Sequence, residues 1–165
     1  MLKRLAWYFT NAVLFNSHAL LPYAFKATIL RFYGAKIGKS VAIKPHVNIK
    51  YPWKLEVGDY TWIGENVWID NLDKVVIGKH VCISQGALIL SGNHDFGKPT
   101  FDLIVKPITI EDGAWIGAKS VVTQGVTVAS HAVLAVSSVA SSNLESYSIY
   151  RGNPAVKVKD RVINP

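Results

Sequence analysis

The chain has 165 residues, half of them hydrophobic and 18% charged, which is enough for one domain with a buried core. Its single cysteine, Cys82, excludes an internal disulfide, and we interpret that side chain as a packing residue. The net charge of +7 suits nucleic acid, anionic lipid or a phosphorylated ligand. No nucleic-acid motif and no run of five like charges is present, so the sequence favours a phosphorylated small molecule and no nucleic-acid partner.

Residues 1–34 are predicted to form a helical cap. A basic start followed by apolar residues is typical of a signal peptide, but polar residues interrupt the apolar run and no convincing cleavage site follows. The run is also too short and too polar to span a bilayer. We expect one helix over residues 2–15 and a second from Pro22 to Tyr33, stopped by Gly34. Together they would cover the open end of the repeat structure that follows.

A peripheral contact with a membrane is an alternative role for the same segment. The cations Lys3 and Arg4 could meet lipid headgroups while Trp7 and Phe9 enter the interface. The expected location is the cytoplasm, with this membrane association left open.

A six-residue repeat organises the chain from residue 37 to residue 140. One aliphatic position recurs every six residues, and a small or β-branched residue often follows it by four. No α-helix has this period, and a plain strand has a period of two. A short fixed period predicts a solenoid of stacked β-coils. The aliphatic positions are Ile37, Ile43, Ile49, Val57, Ile63, Ile69, Ile77, Ile83, Ile89, Ile110, Ile116, Val122, Val128, Leu134 and Ala140; the small ones are Val41, Val47, Thr61, Val67, Val81, Ala87, Ala114, Ser120, Val126, Ala132 and Ser138.

Interruptions of the repeat indicate how many units form one coil. Eight residues instead of six separate positions 49 and 57 and positions 69 and 77, and twenty-one separate positions 89 and 110. Each interruption follows three units, so three strands close one triangular coil and every insertion falls at the same corner. Residues 35–145 are therefore predicted to form an all-β solenoid of about five coils, roughly 24 Å tall at ~4.8 Å per coil.

The largest insertion, residues 91–107, is rich in Gly, Pro, Asp and Asn and is predicted to be an extended loop. Long excursions from a rigid scaffold often carry function. This one contains His94 beside Asp95, and Phe96 and Phe101 could anchor it against a neighbouring chain.

Two shorter insertions, around Trp53 and around Leu72, fall at the same corner. We expect the side chains there to face outward, in one column with the long loop. Asp70 and Asn71 would then lie one coil away from the loop and could contact its ligand, with a structural role at the corner as the alternative.

Beyond residue 140 the repeat weakens. Residues 146–165 are predicted to be a turn at Gly152-Asn153-Pro154 followed by a short basic tail. The tail contains the cations Lys157, Lys159 and Arg161.

The hexapeptides resemble those of the hexapeptide-repeat acyltransferases, whose fold is a left-handed parallel β-helix. The left hand comes from this resemblance alone, because the general rule for parallel crossovers would give a right-handed coil. A more specific set of motifs is similar to the acetyltransferases of exopolysaccharide biosynthesis, the colanic-acid type, which are related to the galactoside and maltose O-acetyltransferases. The motifs are Trp62-Ile63-Gly64-Glu65-Asn66-Val67-Trp68-Ile69, Gly92-Asn93-His94-Asp95-Phe96, Lys106-Pro107-Ile108-Thr109-Ile110, Asp112-Gly113-Ala114-Trp115-Ile116-Gly117 and Gly152-Asn153-Pro154-Ala155.

The resemblance implies an O-acetyltransferase that moves an acetyl group from acetyl-CoA to a sugar or glycan hydroxyl and requires no metal. It implies a homotrimer with donor sites between neighbouring prisms, and four tryptophans on the predicted outer faces, Trp53, Trp62, Trp68 and Trp115, would suit such an assembly. It implies a catalytic histidine at His94. The implied contacts with the donor are Trp115, Gly117, Ala118 and Val136 for the pantetheine, and Lys159, Arg151 and Lys157 for the phosphates.

The chain departs from the family pattern after the last regular coil. Ser141-Ser142-Asn143-Leu144 stands where the family usually has a Lys-Asp pair followed by prolines, and two late glycines are Ala129 and Ala135. The missing lysine leaves open how the phosphates of the donor are held.

Acetyl transfer to a hydroxyl needs a base for the proton and donors for the oxyanion. An imidazole can accept a proton near neutral pH, which suits His94 as the base. Backbone N–H groups in residues 110–118 could stabilise the oxyanion. Asp95, or a nearby carbonyl, could fix the imidazole tautomer, and Asp70, Asn71 and Asp95 are the expected acceptor contacts.

Two other functions stay open. The same fold hosts zinc carbonic anhydrases of the γ class, which need three converging imidazoles, but the histidines here are widely spaced, the closest pair being fourteen residues apart. We expect no catalytic role for His18, His46, His80 and His131. A non-catalytic solenoid that binds a partner is the second alternative, and the weakened repeat near the carboxyl end favours it.

Overall fold

Short strands separated by tight turns make up most of the chain in a computed structural model that describes residues 2–163. β-branched residues favour the extended backbone of these strands. The elements in chain order are α1 (Leu2–Thr10), a π-helix (Asn11–Phe15), α2 (Tyr23–Phe32), β1 (Lys36–Ile37), β2 (Ala42–Ile43), β3 (Asn48–Ile49), a 3₁₀ turn (Pro52–Lys54), β4 (Leu55–Val57), β5 (Trp62–Ile63), β6 (Trp68–Asp70), β7 (Val75–Ile77), β8 (Cys82–Ile83), β9 (Leu88–Leu90), β10 (Gly92–His94), β11 (Leu103–Val105), β12 (Ile108–Ile110), β13 (Trp115–Ile116), β14 (Val121–Val122), β15 (Thr127–Val128), β16 (Val133–Leu134), β17 (Val139–Ala140), β18 (Ser148–Gly152) and β19 (Ala155–Asp160).

Three sheets of parallel strands form the faces of a triangular prism. Face A contains β1, β4, β7, β12 and β15; face B contains β2, β5, β8, β13, β16 and β18, with β19 antiparallel at its edge; face C contains β3, β6, β9, β14 and β17. Every coil runs from face A to face B to face C. The prediction that all insertions share one corner is confirmed, because each lies between faces C and A.

The solenoid continues beyond the predicted coils. Five complete coils are followed by a partial sixth turn, in which Leu144 bridges to Val128 and β18 pairs with β16. The structure therefore has about six turns instead of about five. The sixth turn is not apparent in the sequence because polar residues replace the repeat there. One of them, Asn143, accepts the N–H of Thr127 through its side-chain oxygen at 2.8 Å, where a regular coil would supply a backbone carbonyl.

The interior of the prism is built as the repeat predicts. All fifteen aliphatic positions and all eleven small positions are buried. The strand register stacks each aliphatic side chain on its counterparts, so Ile83 lies between Ile63 and Ile116. Burial of these columns is the main source of stability for the fold.

Backbone with positive φ forms the corner between faces A and B. His80 (φ 53°) stacks on Tyr60 with ring centroids 5.1 Å apart, and His131 (φ 60°) stacks on Tyr147 at 4.7 Å. Gly113 occupies the intervening coil at φ +69°, and a Cβ there would lie 2.6 Å from the ring of His131. The ring of His131 excludes a side chain at position 113, whereas His80 and His131 show that the left-handed backbone alone tolerates one at this corner.

The amino-terminal helices close the open end of the prism. Carbonyl groups of the first coil have no preceding coil to bond with, and an unsatisfied buried carbonyl is costly. Each face receives one side-chain donor from the cap. Nε1 of Trp7 donates to Ile49 on face C (2.8 Å), Nζ of Lys26 to Ile43 on face B (3.3 Å), and the guanidinium of Arg31 to Ile37 on face A (2.9 and 3.0 Å).

Two expectations about the cap need correction. The α-helical hydrogen bonding of the first helix ends at Thr10 and continues as a π-helix, and the second helix begins at Tyr23. Trp7 is buried, so it does not face outward as the membrane alternative assumed. Within residues 2–163, no helix has the length and apolar character needed to cross a membrane.

The carboxyl-terminal residues differ from the expected tail. β18 and β19 form an antiparallel hairpin around the predicted turn at Asn153 and Pro154, and the hairpin residues Tyr150 and Ala155 bury their side chains on its inner side. Because the last coil would otherwise present an open strand edge, this hairpin continues face B and covers that edge.

Candidate active site

The long insertion forms a β-hairpin, not an irregular loop. β10 and β11 pair antiparallel, with His94 opposite Leu103, and we call residues 91–107 the arm. The arm begins at Ser91, which is buried and accepts the N–H of Lys106 at 3.0 Å. Its tip and second strand leave large apolar side chains in solvent, namely Phe96, Phe101, Leu103, Ile104 and Val105.

His94 lies exposed on the arm with its tautomer determined by a backbone carbonyl. Nδ1 of His94 is 2.7 Å from the carbonyl oxygen of Phe101. A carbonyl can only accept, so Nδ1 carries the proton and donates it, which leaves the lone pair on Nε2 of the neutral ring. Nε2 is therefore free to accept a proton from a substrate.

Phe101 supplies this carbonyl from an unusual backbone conformation. Its φ is +49°, which costs energy for a residue with a large side chain and persists only when the surroundings impose it. The N–H of Phe101 donates to the carbonyl of Lys98 at 3.1 Å. We expected Phe101 only to anchor the arm; no sequence signal distinguishes a residue that acts through its carbonyl.

The Asp95 carboxylate makes no hydrogen bond to the imidazole among the described residues. Its carboxylate accepts the N–H of Gly97 at 3.0 Å, and its own N–H donates to the carbonyl of Asp102 at 2.8 Å. The neighbouring carboxylate, Asp102, is ionised at neutral pH, because hydrogen bonds from Lys98 and, to a smaller extent, Thr100 lower its pKa below the ordinary value. Of the two groups expected to orient His94, the carbonyl is the one in place.

The corner next to the arm is more buried than expected. Asn71 has no exposed surface, and its amide bonds to the N–H (2.9 Å) and the carbonyl (2.6 Å) of Tyr51. Asp70 is also buried, with Oδ1 2.8 Å from Nζ of Lys50 but outside hydrogen-bond geometry. The expectation of outward-facing side chains is wrong for these two residues, while their role in acceptor binding stays a prediction.

Most residues predicted to contact the donor share one side of the prism. Trp115 and Arg151 alternate with buried positions on β13 and β18, so both point outward from face B. Lys159 on β19 is paired with Ile149, which lies on the same outward side of β18 and continues the column of Trp115 and Val133. Gly117, Ala118 and Val136 follow the same strands at the corner between faces B and C.

Backbone N–H groups near this corner are not equally available. Those of Trp115 and Gly117 donate to Ala132 (2.9 Å) and Leu134 (2.7 Å) in the next coil. The N–H of Ala118 has no acceptor among the residues described. Of these three groups, Ala118 can offer its N–H to a ligand without disrupting the ladder.

The carboxyl-terminal cations also differ in availability. Lys157 pairs with Asp160 at 2.9 Å and with Glu145 at 3.0 Å, and these two hydrogen bonds raise its pKa. The guanidinium of Arg161 donates to the carbonyls of Gly113 and His131. Within residues 2–163, no carboxylate pairs with Lys159, so it is the freer of the two lysines for a phosphate.

The arm and face B do not meet within one chain. The arm leaves the corner between faces C and A, which in a triangular prism is opposite face B. The body of the prism thus separates His94 from Trp115, Ala118 and Lys159. A site that combines them requires a second chain.

The remaining histidines have structural surroundings. Nε2 of His46 is 2.8 Å from Nδ1 of His18, and His80 and His131 belong to the stacked corner. In the part of the chain that the structure describes, no three His, Cys, Asp or Glu side chains are grouped to hold a metal ion. Cys82, which we interpreted as a packing residue, is exposed on face B. Neighbouring atoms still remove part of the water around its sulfur, and this partial desolvation raises the pKa of the thiol.

Comparisons with known proteins give the class and then the family. No family model matches the chain. A hexapeptide-repeat acetyltransferase from Vibrio cholerae superposes with a TM-score of 0.87 and 25% sequence identity, and the match covers 96% of this chain and 90% of that one. The structure of its complex with acetyl coenzyme A superposes with a TM-score of 0.81 and 25% identity, and covers 88% of this chain and 81% of that one. A maltose O-acetyltransferase from Clostridium difficile 630 shares the fold, with a TM-score of 0.87 and 21% identity over 98% and 88% of the two chains. The prism is accordingly a left-handed parallel β-helix of the acetyltransferase class, as the resemblance implied.

The sequence relatives narrow this class. The colanic acid biosynthesis acetyltransferase WcaF of Escherichia coli (strain K12) is 38% identical over 156 residues, which cover 94% of this chain and 86% of that protein. The chain belongs to the hexapeptide-repeat acetyltransferases of this colanic acid biosynthesis type. Membership of an acetyltransferase family favours the enzyme over both alternatives, the zinc enzyme and the non-catalytic binding module.

Proposed function

We propose that this protein transfers the acetyl group of acetyl-CoA to a sugar hydroxyl during exopolysaccharide biosynthesis, with His94 as the general base. The observation that carries the proposal is the 2.7 Å contact from Nδ1 of His94 to the carbonyl of Phe101, which leaves Nε2 ready to accept a proton. Support for the donor comes from the acetyl coenzyme A complex of the Vibrio cholerae protein, and support for the pathway from the name of the E. coli relative. Acetyl-CoA is available in the cytoplasm, where we expect the reaction to occur.

The proposed reaction needs one proton acceptor and one oxyanion donor. Nε2 of His94 takes the proton of the sugar hydroxyl while its oxygen attacks the thioester carbonyl carbon. The N–H of Ala118 stabilises the negative charge that develops on the carbonyl oxygen. Collapse of the tetrahedral intermediate breaks the C–S bond, and the proton passes from His94 to the departing thiolate of coenzyme A.

The phosphates of the donor are assigned to Lys159 and Arg151 on the outer side of face B. Lys159 has no ion pair among the described residues, whereas Lys157 has two. This arrangement provides a cation in a chain that lacks the family lysine after the last regular coil.

Lys159→Ala is expected to raise the KM for acetyl-CoA roughly threefold to tenfold, the range for one exposed charge-assisted contact, and to leave kcat nearly unchanged. A remote phosphate contact is equal in the ground and transition states, so its loss affects mainly KM. The matched control is Lys157→Ala, whose charge is already neutralised by two carboxylates and whose loss should change KM less. Steady-state kinetics with varied acetyl-CoA measure both. An unchanged KM in Lys159→Ala would contradict the assignment.

We propose that the working enzyme is a homotrimer in which the arm of one chain lies against face B of the next. The opposite positions of the arm and face B support this arrangement, and a heterologous contact of this kind closes into a ring. Trp62, Trp68 and Trp115 leave about half of their side chains in solvent in the single chain, more aromatic surface than a monomer usually exposes. Trp53 does not contribute, because it packs partly against the core and stacks on Tyr51.

Light scattering is expected to give three times the 18.2 kDa mass of one chain. Phe96→Asp is expected to weaken the assembly and to lower activity in parallel, because this exposed residue at the tip of the arm would meet the neighbouring chain. A stable monomer with full activity would contradict the trimer and the shared site together.

We propose the acceptor contacts from the exposure of each residue and from its position relative to His94. Asp95 is half-exposed beside His94 on the arm, so it can bond to a sugar hydroxyl. Asp70 and Asn71 are buried at the base of the arm, and they would reach an acceptor only through an adjustment of that corner. The single-chain structure therefore favours Asp95 as the first acceptor contact.

Turnover of acetyl-CoA with a panel of sugars and lipid-linked glycans, followed by thiol release, tests the function directly. Acceptor-dependent release of coenzyme A is the expected result. The alternatives are separated by two further measurements on the purified protein: calorimetric binding of coenzyme A, which a bare scaffold would lack, and metal analysis, in which a zinc enzyme would contain about one zinc per site.

A further inference from the structure

Charge is distributed very unevenly along the chain. Residues 1–55 contain nine Lys and Arg residues and no Asp or Glu, whereas residues 56–165 contain nine Lys and Arg and eleven Asp and Glu. The first segment thus carries a formal charge of +9 and the remainder −2, which together give the net +7. In the structure the first segment is the helical cap and the first coil, so one end of the prism is strongly basic.

The same end exposes an apolar stripe. α1 and the π-helix bury one side of the segment, and the side chains on the opposite side are apolar and exposed to solvent. The buried set is Trp7, Asn11 and Phe15; the exposed set is Leu2, Leu5, Phe9 and Val13, joined by Phe25 and Phe32 on the outer side of α2. We call these six exposed residues the cap face.

The cap face points away from the body of the prism. Trp7, Lys26 and Arg31 all reach carbonyls that project from the open end of the first coil. Both helices therefore lie across that end, and their outer sides face away from it. Nothing in the described part of the chain covers these outer sides.

Two exposed cations of α1, Lys3 and Arg4, lie next to Leu2 and Leu5 of the cap face. Nζ of Lys3 lies 4.8 Å from the ring centroid of Trp53, and the guanidinium of Arg4 lies 5.0 Å from that of Tyr51. Of the basic residues in this segment, only Lys36 and Lys50 pair with a carboxylate among residues 2–163. An open groove of about 420 Å³ runs beside α1, lined by Arg4, Leu5, Trp7, Tyr8, Asn11, Ile49, Lys50 and Tyr51. Apolar and cationic groups thus converge on one surface.

We infer that the cap face docks on an anionic lipid bilayer. An amphipathic helix with apolar residues on its outer side and cations at its flanks lies in the interface of such a membrane, and acidic headgroups attract the basic segment. A second copy of this chain fits poorly, because it would bring two surfaces of the same strong positive charge together. A nucleic acid would leave the apolar stripe against phosphates. The bilayer satisfies both the stripe and the charge.

This docking does not depend on the proposed reaction. It would hold the active site next to acceptors that are anchored in the membrane. The contact uses Leu5 and Phe9 in place of Trp7, the residue expected from the sequence.

Sedimentation with vesicles tests the inference on the full-length protein. We expect binding to phosphatidylcholine vesicles that contain about one third phosphatidylglycerol, and little binding to phosphatidylcholine alone. The bound fraction should fall in about 0.5 M NaCl, which screens the headgroup charge. Leu5→Asp and Phe9→Asp should each lower the partition coefficient at least roughly tenfold, because an apolar group is lost from the interface and a charge is added.

Val162→Asp provides the matched control. Val162 is an exposed apolar residue near the opposite terminus of the chain, so the same change there should leave vesicle binding unaltered. Circular dichroism and thermal melting check that all three variants fold. Equal binding to both vesicle types, or equal loss in all three variants, would overturn the inference. Failure to bind the anionic vesicles would also overturn it. If Phe9→Asp then lowered the solution mass, the cap face would be a protein interface instead.

Discussion

Replacement of His94 by alanine is expected to lower kcat/KM for acetyl transfer by roughly 10²–10⁴-fold, the usual contribution of one positioned base. The stacked core does not include His94, which lies exposed on the arm, so the variant should fold and melt like the wild type. Coenzyme A binding should also survive, because the proposed donor contacts lie on face B. A loss confined to turnover would identify the imidazole as the group that handles the proton.

The pH dependence provides a second readout of the same residue. Only the neutral imidazole can accept a proton through Nε2, so activity of the wild type should fall as the pH is lowered and the ring becomes protonated. His94→Ala should lack this limb of the profile. Acetyl transfer by both proteins between about pH 5.5 and 9, with saturating donor, measures the difference.

His80→Ala is a suitable control for His94→Ala. His80 is another histidine outside the interior of the prism, but it stacks on Tyr60 at the corner between faces A and B. We expect its replacement to retain the pH profile. If His94→Ala keeps more than about a tenth of the wild-type kcat/KM, the base is a different group and the active-site assignment is wrong.

The repeat predicted the interior correctly because the packing it describes involves only neighbouring coils. Each aliphatic residue packs on the equivalent residue one coil away, and the register follows from the spacing alone. The same logic placed the arm, because a sequence insertion must leave the prism at the corner where it interrupts the coil. It could not show that β10 and β11 pair with each other, because the arm has no repeat and its composition is that of a loop.

The details of the site depend on contacts that no spacing reveals. The tautomer of His94 is determined by a carbonyl seven residues away, which becomes a neighbour only when the hairpin forms. Lys157 and Lys159 are indistinguishable in the sequence, yet one pairs with Glu145 and Asp160 and the other does not. Asn71 is a polar residue at an insertion, but its amide replaces a backbone pairing with Tyr51 and is therefore buried.

The resemblance supplied what physical reasoning from the residues could not. A six-residue period is compatible with coils of either hand, and the general preference for right-handed crossovers pointed the wrong way. The family also implied that a donor site lies between chains. The opposite positions of the arm and face B now support that arrangement from the geometry of a single chain.

Ile83→Ala is expected to lower the free energy of unfolding by about 2–5 kcal/mol, the range for removing a large aliphatic side chain from a packed core. Ile83 is fully buried, and the register places it between Ile63 and Ile116 in the middle of the prism. Its loss therefore leaves a cavity bounded on both sides by coils whose backbones are fixed by hydrogen bonds to each other. Such a site cannot collapse easily, so the cost should fall in the upper part of the range.

Cys82→Ala is the matched control, because Cys82 precedes Ile83 on the same strand but its side chain points out of the core. This change removes no contact inside the prism, so it should alter the free energy of unfolding by no more than about 0.5 kcal/mol. Ile83→Val should lie between them, at about 0.5–1.5 kcal/mol. Denaturant unfolding at one fixed protein concentration compares the three variants, since assembly would otherwise change the apparent stability. Equal effects of Cys82→Ala and Ile83→Ala would mean that the column of side chains through Ile83 does not stabilise the coils. The strand register, which also determines the positions of the arm and face B, would then be wrong.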